Sequence, residues 1–124
     1  MIVIPWHNED IPEALLQSMV KAHVNQIPGV EVWRMNTGGA YQGRQYIAYG
    51  EPGQADLAGL MAPNGRRLEI ELKTPTGRLR ATQRAYRERI ERLGGLYVVA
   101  RSLRQAMEPI CDAIGLEYVN ERDR

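Results

Sequence analysis

The 124 residues contain no phenylalanine, a single cysteine and only two histidines. Cys111 alone excludes an intramolecular disulfide and a cysteine-built zinc site, and it reads as a small buried residue on a helix. No apolar run approaches the ~20 residues of a membrane span. Met1-Ile2-Val3-Ile4-Pro5 is too short and too uncharged for a secretory signal, so an intracellular, reducing compartment is expected. There is no Gly-Lys-Ser/Thr. The glycine-dense run Thr37 to Gly43 opens no helix, so no nucleotide cofactor is expected and that run reads as a mobile or DNA-contacting loop, with Tyr41 able to stack. Internal repeats and low-complexity tracts are also missing. A chain of this length makes one domain over residues 1–124, with two Trp, six Tyr and many aliphatics filling the core in place of Phe.

Net charge is small as well, at +1, but it is unevenly spread. Residues 66–104 carry eleven Lys/Arg against four Glu, and the rest of the chain carries five against eleven. A basic segment suits a polyphosphate partner, and equally a solvated helix with pairs of the Glu88–Arg92 kind. Arg78 and Arg80 are the favoured phosphate contacts, because they sit in the loop beside the segment described next.

That segment is Gly53 to Gln83. Leu68-Glu69-Ile70-Glu71-Leu72-Lys73 alternates apolar and charged residues, the period of a half-buried strand. Ala55 to Met61 is a second apolar run, and Ala62 to Gly65 can join the two as an antiparallel hairpin. Asp56 then approaches Glu71 on one face, with Lys73 beside them. Two carboxylates at that reach suit Mg²⁺ or Mn²⁺, which keep several waters and take phosphate oxygens as further ligands. An ordinary solvent-facing strand has the same pattern. Gln83 lies on the stripe Leu79, Gln83, Tyr86, Ile90, Leu93 of the following helix. Its amide either satisfies buried backbone groups or bonds a water or phosphate at the site, and spacing does not separate the two.

Elsewhere, Asp10 to about Asn25 reads as a helix opened by an Asp10-x-x-Glu13 capping box. Val30 to Thr37, Arg44 to Tyr49 and Leu96 to Ala100 read as strands. Ser102-x-x-Gln105 opens a last helix that Gly115 ends. Leu116 to Val119 reads as an edge strand, and Asn120 to Arg124 as a fraying tail. Neither His7 nor His23 has ligand spacing. The order of elements predicts a mixed α/β layer fold, with the Gln83 helix crossing over between two strands.

Gly53-x-x-Asp56, Glu71-Leu72-Lys73-Thr74, Gly77-Arg78-Leu79, Gln83 and Gly94-Gly95 before a Val-Val strand resemble the virus-type replication-repair nuclease (VRR-NUC) domain. That family is a branch of the PD-(D/E)XK nuclease superfamily. The likeness runs from about Glu13 to Arg101 and takes in Val32-Trp33-Arg34-x-Asn36-Thr37-Gly38. It departs at Ala55, where the superfamily has proline, and at Arg80, where a serine would cap the helix. The resemblance implies a restriction-endonuclease-like core, a mixed sheet flanked by helices. It implies metal ligands at Asp56, Glu71 and the Leu72 carbonyl, with Lys73 and Gln83 as catalytic partners. Arg34 and Asn36 become candidates for the substrate side, although the residues alone read as polar strand ends. Glu13 becomes a further metal ligand, against its reading as a helix cap.

The function expected is Mg²⁺- or Mn²⁺-dependent hydrolysis of phosphodiester bonds in branched DNA. Stand-alone members of the family, often phage- or prophage-encoded, look like homodimeric Holliday-junction resolvases. Trp6, Tyr97 and Met107 are the apolar residues expected at a dimer surface. The alternatives are a flap-specific or nonspecific nuclease, a catalytically silent DNA-binding module, and a structural protein with a solvated charged strand.

Overall fold

The computed structural model describes residues 1–35 and 38–123. Its elements in chain order are β1 (Ile2–Ile4), α1 (Glu13–Val24), β2 (Val30–Arg34), β3 (Gly38–Gln42), β4 (Gln45–Tyr49), β5 (Leu57–Met61), β6 (Arg66–Leu72), α2 (Ala81–Arg92), β7 (Leu96–Ala100), α3 (Leu103–Ile114) and β8 (Tyr118–Asn120), then a 3₁₀ turn at Glu121–Asp123. A four-stranded sheet runs in the order β2-β5-β6-β7. β2, β5 and β6 are antiparallel neighbours, whereas β6 and β7 are parallel, joined by the expected α2 crossover. The architecture is mixed α/β, with three helices on a mixed sheet.

Alternation along β6 sends Leu68, Ile70 and Leu72 to one face, where all three are fully buried. Leu16, Val20 and Val24 of α1 recur at helical spacing and pack there, together with Leu103, Ala106 and Ile110 of α3. The other face is where the solvent-facing reading of the strand fails. Glu69 is 0% and Glu71 4% exposed, because α2 lies over β7 and closes that side with Tyr86, Tyr97 and Ala55. A strand in a three-layer fold is buried on both faces, so its charged residues are interior groups.

Several boundaries differ from expectation. Helix α1 begins at Glu13 with Pro12 as an uncapped N-cap, and the Asp10 N–H donates to Asn8 Oδ1, so no Asp10–Glu13 capping box forms. Gly38 to Gln42, expected as loop, is β3 paired with β4 through a two-residue Gly43-Arg44 turn. Gly43 takes φ 64° there, the left-handed backbone that tight hairpins need. The tail does not fray before Asp123: Ile2↔Tyr118 and Ile4↔Asn120 pair in parallel, the Trp6 N–H donates to Glu121 (2.8 Å), and the Arg122 guanidinium lies 3.3 Å from the Trp6 ring centre. Leu93, placed on the α2 stripe, is 79% exposed just past the helix end. The α2 surface pair is Arg87–Glu91 (2.7 Å).

The Ser102 cap holds, with its Oγ accepting the Gln105 N–H at 3.1 Å, and Gly115 ends α3 in the left-handed region. Cys111 is buried on that helix. Of the three residues expected at a dimer surface only Trp6 is exposed; Tyr97 and Met107 are core. Among the described residues no helix is long and apolar enough to cross a membrane.

Candidate active site

The β5–β6 ladder ends at Leu57↔Ile70. The next residue on each side is Asp56 and Glu71, so antiparallel register sets the two carboxylates opposite each other on the α2 face. Asp56 Oδ2 accepts the Leu72 N–H at 2.8 Å, which fixes the carboxylate where β5 begins. The Lys73 N–H turns toward β7, donating to the Ala100 carbonyl. Groups of one residue leave an extended strand on the same edge and alternate along it, so the Leu72 carbonyl leaves β6 on the Asp56 side. Glycine at position 53 permits this arrangement: its φ is +82° and a Cβ there would overlap the Thr82 carbonyl. The loop before Asp56 is thereby seated against the first turn of α2.

Gln83 takes the first of the two roles its spacing left open, satisfying a backbone group, and adds bonds to two side chains of the cleft. Its Oε1 accepts the Arg80 N–H (2.9 Å), closing the first turn of α2 from inside. That bond substitutes for the missing side-chain cap at Arg80. The same oxygen accepts from Lys73 Nζ (3.0 Å), and Nε2 donates to Glu71 Oε2 (2.9 Å). Lys73 Nζ also lies 3.7 Å from Glu71 Oε2. Lysine, amide and carboxylate thus form one network spanning β6 and α2. The named partners fall on Oδ2 of Asp56 and Oε2 of Glu71. Glu71 is raised to about 8, first by burial, then by the Asp56 charge and a hydrogen bond between the carboxyl groups; Lys73 pulls it down.

Behind this pair lies a residue that sequence reasoning passed over. Glu69, the other acid on the inward face of β6, accepts from the Tyr86 hydroxyl (2.5 Å), Arg67 Nε (3.3 Å) and the Ala55 N–H (3.4 Å). It ties α2 and β6 to the residue immediately before Asp56. Burial, then the Glu69 bond, raises the Tyr86 hydroxyl to about 12. The Tyr97 hydroxyl is buried with no hydrogen-bond partner among the described residues. Burial raises it first, and the carboxylates of Glu71, Glu69 and Asp56 raise it further. A glutamate two positions before Glu71, on the same strand face, was the available signal.

Glu13, Arg34, Asp56, Glu71, Lys73, Arg80 and Gln83, all singled out in the sequence, line one cleft of about 380 Å³. Glu13 heads α1 at its rim, released from any cap, and its charge adds slightly to the raising of Glu71. Arg78 is exposed and outside the lining, whereas Asn36 lies outside the described residues. Gln17, Met35, Gln54 and Ala55 also line the cleft and were not anticipated.

Both histidines are committed elsewhere. His7 Nε2 accepts the Leu103 N–H at the start of α3 (3.0 Å), and His23 Nδ1 meets the Met19 carbonyl (2.8 Å). Among the described residues no cluster of three or more His, Cys, Asp or Glu side chains forms a metal cage. No family model, curated protein or solved structure matches the chain.

Proposed function

We propose that the cleft is the active site of a Mg²⁺- or Mn²⁺-dependent DNA nuclease. The observation that carries this reading is the facing pair Asp56–Glu71 with Lys73 and Gln83 bonded behind it. A buried carboxyl group held beside a half-buried one shares with it a deficit of positive charge, which the raised Glu71 expresses. The pair fits a hard divalent ion, with the Leu72 carbonyl as a further oxygen and Glu13 within the same cleft. Few protein oxygens suit an ion that keeps waters and takes phosphate oxygens, as against one caged by side chains. Such an ion, when bound, supplies water activation and charge neutralisation for phosphodiester hydrolysis.

The chain's own residues do the rest. Gln83 fixes the rotamer of Glu71 and holds Lys73 by its ammonium, so both meet substrate without reorganising. Lys73 presents its charge where negative charge develops on the phosphoryl oxygens. Arg80 and Arg34, which both line the cleft, bind the flanking phosphates, and Arg78 extends that grip outside it. The sequence likeness adds the finer reading: a restriction-endonuclease-like core, an intracellular and phage-type setting, and a homodimeric Holliday-junction resolvase as the form of the enzyme. With one cleft per chain, paired cuts require two copies.

The test is cleavage of four-way junction, flap and linear duplex DNA with Mg²⁺, Mn²⁺ or EDTA, for wild type beside Glu71→Ala. Paired nicks across the junction, lost with EDTA and with the variant, are expected. Cutting of flaps or duplex alone keeps the nuclease and removes the resolvase. DNA binding without any cutting leaves a silent binding module.

A further inference from the structure

Among the described residues, the β3–β4 hairpin is the two-stranded unit that makes little contact with the main sheet or the helices. A free hairpin is marginally stable in water, yet this one exposes Tyr41 (75%), Tyr46 (56%), Tyr49 (50%) and Ile47 (43%). Large apolar side chains gathered on one projection mark a contact surface, unlike the same residues scattered singly. Tyr41 and Tyr46 are cross-strand partners, with ring centres 5.2 Å apart and planes at 64°.

Both roots of the hairpin enter the cleft. Arg34 and Met35 precede it, Gln54, Ala55 and Asp56 follow it, and all five line the cleft. The Met35 N–H donates to the Asp56 carbonyl (2.9 Å), tying the roots together at the carboxylate pair. A chain lying in the cleft therefore passes the base of the hairpin. From residue 38 to residue 49 there is no carboxylate; the single charge is Arg44 in the turn, flanked by the amides of Gln42 and Gln45. Aromatic faces, a guanidinium and amides without acid are the chemistry that takes unstacked bases beside a phosphate backbone.

We infer that the β3–β4 hairpin is a stacking element for bases unpaired at a DNA branch or single-stranded arm, and so selects the substrate of the adjacent cleft. This rests on the nuclease reading of that cleft. Stacking on a tyrosine is sequence-tolerant, so the selection is for structure, not sequence.

The experiment is fluorescence anisotropy in Ca²⁺ on flap, four-way junction and linear duplex DNA. Wild type is compared with the Tyr41→Ala/Tyr46→Ala and Tyr41→Phe/Tyr46→Phe double variants, each checked for folding by circular dichroism. A flap carrying 2-aminopurine in its unpaired arm reports stacking directly. The alanine pair is expected to weaken flap binding about tenfold or more and to abolish the 2-aminopurine quenching, with duplex affinity unchanged; the phenylalanine pair behaves as wild type. Equal affinity of wild type and alanine pair for all three DNAs overturns the inference while leaving the nuclease intact. A wild-type dimer that the alanine pair dissociates, with flap affinity per protomer unchanged, assigns the hairpin to a second copy and also overturns it. Wild type that binds no DNA removes both readings together.

Discussion

The two faces of β6 are both largely buried and are differently built. On one, Leu68, Ile70 and Leu72 meet α1 and α3, and nothing there needs a specific partner. On the other, Glu69 and Glu71 are nearly as deeply buried, but each carboxyl group has polar neighbours: Tyr86, Arg67 and Ala55 around Glu69, Gln83, Lys73 and Asp56 around Glu71. Hydrocarbon burial is non-directional and tolerates substitutions that conserve volume. A buried carboxylate is tolerable only in a network that satisfies it. The apolar face therefore supplies stability, and the acidic face gives some of it up to hold two carboxyl groups side by side.

Glu71→Gln probes that contrast hardest. It is expected to lower metal-dependent cleavage about a thousandfold, the upper end of what one electrostatic group contributes, without unfolding the chain. Stability should move in the opposite direction from activity as pH rises. The unfolded carboxyl titrates near 4.5 and the folded one near 8. Below pH 4.5 both states hold the proton and the folded state keeps the full benefit. As pH climbs to 8 that benefit is lost, because the unfolded chain ionises first. In EDTA, the melting temperature of Glu71→Gln relative to wild type should therefore grow from pH 5 to pH 8.5; a gap independent of pH would sink the raised carboxyl.

On the opposite face, Ile70→Ala should cost about 2–5 kcal/mol in chemical denaturation, with cleavage per folded molecule retained. Loss of cleavage in proportion beyond the folded fraction would show that the faces are not separable.

Between these lies Glu69→Ala, which strands the Tyr86 hydroxyl and the Ala55 N–H at about 1–3 kcal/mol per unsatisfied group. Because Ala55 precedes Asp56, Mn²⁺ affinity by calorimetry should also fall about tenfold, as when a group orienting a metal ligand is removed. Glu69→Gln, which keeps an acceptor, should recover much of both. An unchanged Mn²⁺ affinity in Glu69→Ala would make Glu69 purely structural.

The smallest stability change is expected for Gln83→Ala, about 1 kcal/mol for the lost bond to the Arg80 N–H. Its cleavage should still fall about tenfold, because Glu71 and Lys73 lose their common anchor. A variant with wild-type cleavage would reduce Gln83 to a helix cap.

Much of this was readable in the chain, and the reason is locality. Strand period, the Ala62–Gly65 turn and the Ser102 cap depend on neighbours within a few residues, so alternation in Leu68 to Lys73 determined β6 and the Asp56–Glu71 approach followed from the hairpin. Helical spacing put Gln83 inward on α2. What alternation does not contain is the nature of the second face. The strand read as half-buried became fully buried only when the crossover laid α2 across β7, and that changed Glu69 from a surface residue into an interior one. The β1–β8 pair joins Ile2 to Tyr118, a contact no window of sequence spans, so β1 went unread and the tail after Val119 read as fraying. The glycines of β3 looked like loop because the order comes from pairing with β4 and not from their own residues. Sequence determined most of the elements and the approach of the carboxylate pair; tertiary packing ordered β1 and β3 and decided which charges are desolvated, and with that their chemistry.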